Sequence, residues 1–588
     1  MPKIKALPFH VVEKIAAGEV VERPASVAKE LIENAIDAHA KNIIVRTQAG
    51  GKKQLTIIDD GSGMDAEDAK LCIGRHATSK IASEADLWKI DTLGFRGEAL
   101  AAIAAVSKLA IETKLQDPSI IEGTRVEVLG SDVVDVHAVG CPAGTKIVVA
   151  DLFFNTPVRQ KFLKSDTVEY GHIADAIMSH ALAHADIRFE LTRDGKSHLI
   201  YPAVSDPKRR MIDVLGCKPD LMSFMEQNEG ISVSGWLGAE DMSSPGAKLL
   251  HVFLNGRPLR DRLLTQAVIK GYGSRLPGGR YPLAVVFLNI NPEKVDVNVH
   301  PAKREVRFEK SGAVFEFVAS SIRKALEGQR SAALPSYQAT VPEISTSQFQ
   351  MAMRERVQAA LERYEESRDF GITKASPASM ISFETNFDPA QQTSYIVQSL
   401  QIIGQLSATY ILCEGEAGTL VVIDQHAAHE KLGFDAFRKQ FEQGSIVQQR
   451  LLLPQQCSLT PKEAGYVEVH LSLLEKAGFE IEPFGNSIFM IKAVPALLTN
   501  APLQTLLEKI AAELEASEKS DAVAFELDRL FALMACHRQI RGGDRLSVAE
   551  MEALLRDMDR EKVTHCPHGR PVKIFIEQSE LEKRFKRS

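Results

Sequence analysis

Between residues 331 and 398 the 588-residue chain abandons apolar periodicity, and Ser, Pro, Gln, Thr and scattered charges replace the repeating hydrophobic positions on either side. Such a composition cannot bury enough apolar area to offset its ordering entropy, so the stretch reads as a flexible linker. Met351 to Arg368 is the one segment in it patterned as a polar helix. As a coil, about 68 residues span on the order of 45 Å, enough for two modules to act on one partner without touching. The chain must therefore fold as at least two modules. At about 150 residues per domain its length allows three to four units.

Composition narrows the class. A hydrophobic fraction of 45% and a charged fraction of 25% are ordinary for a globular protein. No apolar run approaches the ~18 residues of a membrane-spanning helix, so a membrane span is not expected. The start Met1-Pro2-Lys3-Ile4-Lys5 is basic but lacks the apolar stretch of a secretory signal. Seven scattered cysteines fit a reducing cytosol rather than a disulfide framework. A net charge of −7 gives no global attraction to nucleic acid, so any DNA contact must use local basic patches.

Before the linker, helical and strand-like patterns alternate. Residues 28–40 read as a helix with Leu31, Ile32, Ala35 and Ile36 on one side and Glu30, Asn34 and Asp37 on another. Residues 42–46 and 54–58 read as β-branched strands. A second unit is expected from about 213, with strands at 251–254, 283–290 and 295–299.

Four clusters in this half carry chemistry. Glu30 and Asn34 lie four apart and share a helix face. A carboxylate there can orient a water, and an amide oxygen can ligate Mg²⁺. Asp59 ends a strand and begins Asp59-Asp60-Gly61-Ser62-Gly63, where it can accept a hydrogen bond from an exocyclic amine such as adenine's. Gly61 and Gly63 would let the backbone approach a ring closely. Gly74-Arg75-His76-Ala77-Thr78-Ser79-Lys80 and Gly94-Phe95-Arg96-Gly97-Glu98 are glycine-flanked loops of the kind that cradle phosphates at a helix start. The segment between them could close as a lid. Gly144-Thr145 precedes a strand at 146–150. Taken singly, each cluster also has a plain structural reading as a solvated helix face, a tight turn or a strand edge.

In this order over about 150 residues, the clusters resemble the GHKL ATPase fold shared by gyrase B, the Hsp90 chaperone and histidine kinases. Ile15 to Pro24, Arg75 to Lys80 and Gly94 to Glu98 are most similar to the MutL family of DNA mismatch-repair proteins, and the likeness runs to about residue 330. It implies an α+β multidomain chain. A GHKL (Bergerat) ATPase α/β sandwich would occupy 1–212 and a ribosomal S5-like α/β domain 213–330. The linker at 331–398 would lead to an α+β C-terminal dimerisation domain at 399–588, with an outer subdomain at about 458–530. The resemblance further implies ATP and Mg²⁺ as cofactors, with Glu30 as general base, Asn34 as Mg²⁺ ligand, Asp59 as adenine reader and Thr145 beside it. Lys303, in Asp296 to Val306, would reach the γ-phosphate from the second unit. Asp60 receives no role.

After the linker, patterning returns at Ile402. Asp424, His426 and Glu430 follow a strand at 419–423, with Glu430 one turn beyond His426 on a helix. Cys536-His537 and Cys566-Pro567-His568 each pair a thiolate with an imidazole, a set that favours Zn²⁺ over Mg²⁺. Isolated cysteines are more often core residues, and Cys72, Cys141, Cys217, Cys413 and Cys457 are read so. Together the three motifs resemble MutL proteins that nick DNA, which implies a metal site of Asp424, His426, Glu430, Cys536, Cys566 and His568, with Zn²⁺ or Mn²⁺ and with Asp424 and Glu430 catalytic. The family's second glutamate is here Asp435, which puts strict ligand geometry in doubt. Phe585-Lys586-Arg587 resembles the family's terminal Phe-x-Arg. Gln449-Arg450-Leu451-Leu452-Leu453-Pro454 resembles a sliding-clamp docking peptide through Gln449, Leu451, Leu452 and Pro454, although an edge strand entering a loop reads similarly. A strand is expected at 489–495. The implied setting is a cytoplasmic, nucleoid-associated homodimer acting with double-stranded DNA, the mismatch sensor MutS and the replication sliding clamp. The competing reading is a non-nucleolytic ATP-dependent matchmaker with a structural metal.

Overall fold

The computed structural model describes residues 17–18, 20–80, 92–94, 97–216, 221–228, 230–239, 242–244, 246–276, 280–296, 306–332, 400–444, 446–485, 487–499, 501–517, 523–536, 545–567 and 569–585. Phe95, Arg96, 297–299, Lys303, 351–368, Cys217, His537, His568, Lys586 and Arg587 lie outside them.

The first architecture is an eight-stranded sheet. Its strands are β1 (Asn42–Gln48), β2 (Gln54–Asp59), β3 (Lys108–Lys114), β4 (Gly123–Leu129), β5 (Asp132–Val139), β6 (Gly144–Ala150), β7 (Arg188–Arg193) and β8 (Lys196–Tyr201). They run in the order β5-β4-β3-β6-β2-β1-β7-β8. All pairings are antiparallel except β1 with β7. Along β1, β3 and β6 burial alternates, so one face of the sheet carries the core. Helices α1 (Pro24–Asp37), α2 (Ala99–Ala105) and α3 (Asp166–Ala183) contribute Leu31, Ile32, Ile103 and Ile173 to that core. The first helix begins at Pro24 rather than residue 28, because proline's fixed φ and missing N–H suit a helix's first turn. It stops at Asp37, three residues before the expected end.

A second sheet follows: β9 (Met222–Asn228), β10 (Ile231–Leu237), β11 (Leu250–Leu254), β12 (Arg257–Leu259) and β13 (Ala284–Ile290), in the order β12-β11-β13-β10-β9. Only β11 and β13 are parallel. Helices α4 (Arg262–Tyr272) and α5 (Ser311–Ala332) cover one side and share Leu264, Val268, Val318 and Ile322 with its core. On the other side Phe253 stacks on Phe287 at 4.9 Å and joins the first core, so the two sheets share apolar material.

The C-terminal half has two further sheets. One orders β14 (Gln401–Leu406), β15 (Tyr410–Glu414), β16 (Leu420–Asp424) and, last in the chain, β20 (Lys573–Ile576). The other orders β17 (Gln448–Ser458), β19 (Ile488–Pro495) and β18 (Glu480–Pro483). Helices α6 (Gln425–Glu442), α7 (Pro461–Val469), α8 (Leu503–Ser517), α9 (Val523–Cys536) and α10 (Val548–Arg560) are the longest in this half among the described residues. The core around β17–β19 draws on Val168 and on residues from Phe434 to Ala535, while the other draws on Ile411, Ile423, Leu554 and Val572. Cys413 and Cys457 are buried in these cores, and burial pushes each thiol up to about 11. Cys72 and Cys141 are half-buried. Among the described residues no helix is long and apolar enough to cross a membrane.

Candidate functional sites

The sheet order sets the first site. Because β2 lies between β1 and β6, Asp59 at the end of β2 faces Thr145 of β6 directly. Thr145 in turn faces Thr113 of β3, and their hydroxyls are 3.0 Å apart. Thr113 also accepts from the Met64 backbone N–H at 3.0 Å, which fixes the glycine turn after Asp59. No spacing points to Thr113, because its place in this row depends on sheet order. Desolvation by burial raises the Asp59 carboxyl to about 6, against the hydrogen bond it accepts from the Gly61 N–H at 2.9 Å. Gly63 has φ +69°, and a Cβ there would strike the Lys114 carbonyl, so this close turn requires glycine. Asp60 acquires a structural account: its carboxylate accepts from the backbone N–H groups of Lys41 and Asn42 at 2.7 and 2.8 Å, clamping the start of β1. Those bonds hold it below the usual carboxylate range, although burial opposes them as the largest single influence.

Helix α1 meets the loops at its C-terminal turns. Glu30 and Asn34 are both half-buried on it, while Glu33 is fully buried and pairs with Lys29 at 3.6 Å. Lys80 Nζ donates to Asn34 Oδ1 at 2.9 Å and to Asp37. Asp37 also accepts from the backbone N–H groups of Leu93 and Gly94 at 2.9 and 3.0 Å. Gly94 sits so close that a Cβ would lie 2.9 Å from Lys80 Nζ. The Gly74–Lys80 loop and the Gly94 loop are thus both tied to α1. Lys80 N donates to Thr78 Oγ1 at 3.2 Å, and Ser79 is exposed. The Gly97 carbonyl accepts from the His76 N–H at 3.0 Å, and Glu98 lies 3.7 Å from the His76 ring. From the second sheet, buried Arg257 donates to the carbonyls of Leu93 and Thr92. Asp37 and Arg257 are site residues that motif reading missed. The donors fit a magnesium nucleotide: an amide oxygen, glycine-flanked backbone N–H groups and a cation converge beside a buried carboxylate.

The second site lies where β16 runs into α6. Asp424 is the N-cap, its Oδ1 accepting from the Ala427 N–H at 3.0 Å. His426 is half-buried on the first turn, and Glu430 is buried one turn later. Helix α9 lies against α6 and ends with the Cys536 thiol donating to Glu430 Oε1 at 2.7 Å. Burial, together with the Glu430 carboxylate and with Cys566 nearby, pushes that thiol up to about 12. Cys566 is buried in a tight turn closed by its N–H to the Arg570 carbonyl at 2.8 Å. Motifs more than 100 residues apart therefore meet at Glu430–Cys536. Among the described residues no three His, Cys, Asp or Glu groups form a metal-sized cluster. Two thiols and a buried carboxylate are nonetheless chemically suited to a thiophilic divalent ion. Asp435 is half-buried and pairs with Lys431 at 2.8 Å along the helix.

The third feature is on β17. Its pairing with β19 runs through Arg450 and resumes at Gln455, so Leu451 to Pro454 bulge out of register on an edge strand. Leu451 packs inward against the core, whereas Leu452 and Leu453 are 98% and 79% exposed. Gln449 is exposed beside them.

A sheet with a half-buried aspartate facing a threonine, joined to glycine loops and an Asn-bearing helix, defines an ATPase of the GHKL class. Residues 22–136 match the family model for histidine kinase-, DNA gyrase B- and HSP90-like ATPases. Residues 216–327 match that for the C-terminal domain of DNA mismatch repair protein, and 403–546 that for the MutL C-terminal dimerisation domain. MutL of Geotalea uraniireducens is 38% identical over 608 residues, and that of Trichlorobacter lovleyi 39% over 602, each comparison covering 100% of both chains. The Aquifex aeolicus MutL ATPase domain complexed with ADP is 27% identical, covering 46% of this chain and 94% of that one at a TM-score of 0.37. The chain belongs to the MutL family of DNA mismatch repair proteins.

Proposed function

We propose that the protein is an ATP-gated homodimeric clamp on DNA that couples mismatch recognition to strand removal and carries a latent nicking site. Its units are an ATPase domain at 1–212, an S5-like transducer at 213–330, a linker at 331–398 and a C-terminal dimerisation and endonuclease domain at 399–588. The observation that carries the first part is the Asp59–Thr145 register beside the Asn34–Lys80 contact. Asp59 accepts from the adenine amine, the Gly61–Gly63 turn admits the ring, and Thr78, Ser79, Lys80 and Gly94 to Glu98 hold the phosphates. Glu30 takes the proton from the attacking water as ADP leaves. Lys303 senses the γ-phosphate. Mg²⁺ held by Asn34 supplies charge neutralisation when bound. Closure of the N-terminal halves would leave DNA enclosed by the two linkers.

The meeting of Glu430 with Cys536 supports the nicking site. Asp424, His426, Glu430, Cys536, Cys566 and His568 would hold Zn²⁺ or Mn²⁺, and a bound divalent ion lowers the pKa of water for phosphodiester cleavage. Gln449, Leu451, Leu452 and Pro454 would dock on the sliding clamp, and MutS would supply the mismatch signal. The setting is cytoplasmic and nucleoid-associated. The test is nicking of supercoiled circular DNA with Mn²⁺, comparing the parent with Asp424→Asn. Nicking by the parent alone supports the site. Absence in both, with clamp and ATP supplied, favours a non-nucleolytic matchmaker with a structural metal.

A further inference from the structure

Helices α3 and α7 belong to opposite sides of the linker, yet their backbones cross at two glycines. A Cβ on Gly171 of α3 would lie 2.7 Å from Lys462 Cα and 2.9 Å from the Pro461 carbonyl. A Cβ on Gly465 of α7 would lie 2.9 Å from the Thr167 carbonyl and 3.3 Å from Val168 Cα. Each glycine therefore opens room for the other helix, and any larger residue forces the pair apart. Val168, fully buried, packs among Ala464, Val467 and their neighbours in the C-terminal core rather than in the core of its own sheet. Charges complete the contact. Lys248, from the second sheet's unit, lies 3.3 Å from Glu463 and 3.1 Å from Glu508, with all three side chains largely buried. Arg193 of β7 lies 3.8 Å from Glu468 of α7. Burial raises the Asp175 carboxyl on α3 to about 6, with Lys462 and Arg260 opposing the shift and Glu463 and Glu515 adding to it. A random apposition would not combine reciprocal glycines, a buried valine and a shared lysine.

We propose that the ATPase domain docks on the β17–β19 subdomain of its own chain through the Gly171–Gly465 crossing, forming an intramolecular latch that must open before the linker can enclose DNA. The consequence for enclosure rests on the clamp reading above; the docking does not. While α3 and α7 are engaged, the linker joins two fixed points, and its reach of on the order of 45 Å cannot be used to surround a duplex. Opening exposes Val168 and parts Lys248 from two carboxylates, so the latch has a definite cost to release. The linker keeps the two surfaces at high effective concentration, which favours docking within one chain over docking between chains.

The test uses the full-length dimer with a donor dye in the ATPase domain and an acceptor in the β17–β19 subdomain of the same chain. Gly465→Leu is the principal variant. Leucine is a better helix former than glycine, so α7 itself tolerates it, and the atoms nearest its Cβ belong to Thr167 and Val168 of α3. The parent is expected to show high energy transfer, Gly465→Leu to lose most of it, and Lys248→Glu to lose it and regain it in combination with Glu508→Lys. ATP-driven closure of the N-terminal domains should become several-fold faster in Gly465→Leu. Unchanged transfer in Gly465→Leu overturns the proposal, as does transfer seen only when the two dyes sit on different protomers. Unchanged closure overturns the latch. Because transfer needs neither hydrolysis nor nicking, loss of those activities would sink the clamp reading while leaving the docking intact.

Discussion

Lys80 Nζ donates to Asn34 Oδ1 at 2.9 Å, so the amide proposed to ligate Mg²⁺ is already held in place by the loop proposed to hold phosphate. The same ammonium pairs with Asp37, whose side chain is 7% exposed. Among the described residues, removing the lysine leaves that carboxylate with its backbone donors from Leu93 and Gly94. Lys80→Met should cost about 1–3 kcal/mol of stability and weaken ATP binding about tenfold. Lys80→Arg should restore charge but not the two-acceptor geometry. Thermal unfolding and nucleotide titration of the three proteins decide it; a Met variant that matches the parent in both would remove Lys80 from the site.

Glu30 lies one turn before Asn34 on the same helix face. As the base that accepts water's proton, it contributes to the chemical step and not to holding nucleotide. Glu30→Ala should lower kcat about 10²–10⁴-fold with ATP-driven closure retained. Single-turnover hydrolysis and a nucleotide-binding titration separate the two effects. Loss of binding alongside hydrolysis would reassign Glu30 to nucleotide binding.

Much of this site was legible because it is local. Glu30 with Asn34 needs only a helix's period, and Asp59-Asp60-Gly61 needs only a strand followed by a turn. What escaped depends on sheet order and on distant segments. Thr113 joins the row only because β3 neighbours β6, which no spacing reveals. Arg257 reaches Leu93 from another sheet, more than 160 residues away. Likewise Asp37 reads as one more polar face residue until two loops converge on it. The contact between Glu430 and Cys536 was suggested by motif order, yet its geometry comes from the packing of α6 on α9. Lys303 and His568 lie outside the described residues, so their expected roles stand as proposals.

The Asp59 carboxyl is raised to about 6 by burial, so it begins to protonate in mildly acidic solution. Its folded value lies above the unfolded 3.8, so Asp59's own contribution to stability grows as pH falls from about 6 toward 3.8, and is lost as pH rises through that window. Function runs the other way, because a protonated Asp59 loses acceptor strength toward the adenine amine. ATP affinity should fall as pH drops below about 6, by nearly tenfold per unit, and bound nucleotide should draw the carboxyl's titration lower. Titrating ATP binding from pH 8 to 5, with Asp59→Asn as a flat and weak control, checks this. Constant affinity across pH 6 in the parent would show that Asp59 is not the adenine acceptor.

Arg257 links the second sheet to the Thr92–Gly94 segment, since Leu93 both accepts from its guanidinium and donates to Asp37. A chain of contacts thus runs from the second sheet through Leu93 and Asp37 to Lys80 and Asn34. Arg257→Ala should cost about 1.5–3 kcal/mol, the range for hydrogen bonds to a charged group. It should also lower kcat about tenfold while ATP affinity changes less, because the Leu93 anchor and not the proposed adenine contact at Asp59 is disturbed. Both bonds leave the single nitrogen Nη2, so Arg257→Lys, whose ammonium can also donate twice from a shorter side chain, should rescue part of the loss. Steady-state ATPase assays beside nucleotide titrations test the split. Equal losses in affinity and kcat would place Arg257 in binding rather than in coupling.

Leu452 and Leu453 project almost fully into solvent from the bulge in β17, while Leu451 anchors the strand to the core. Two adjacent exposed leucines on an edge strand are an aggregation hazard unless a partner covers them. Replacing both with alanine removes no packing from the fold, so stability should change by less than about 0.5 kcal/mol. Leu451→Ala, in contrast, should destabilise the C-terminal half, and the contrast between the two variants separates docking from packing. If the bulge is the clamp-docking peptide, Leu452→Ala/Leu453→Ala should weaken sliding-clamp binding by at least tenfold while ATPase activity is unchanged. Binding of immobilised clamp by each variant, with unfolding midpoints recorded in parallel, gives the answer. Undiminished clamp binding by the double variant would assign the bulge to edge protection and move the docking surface elsewhere.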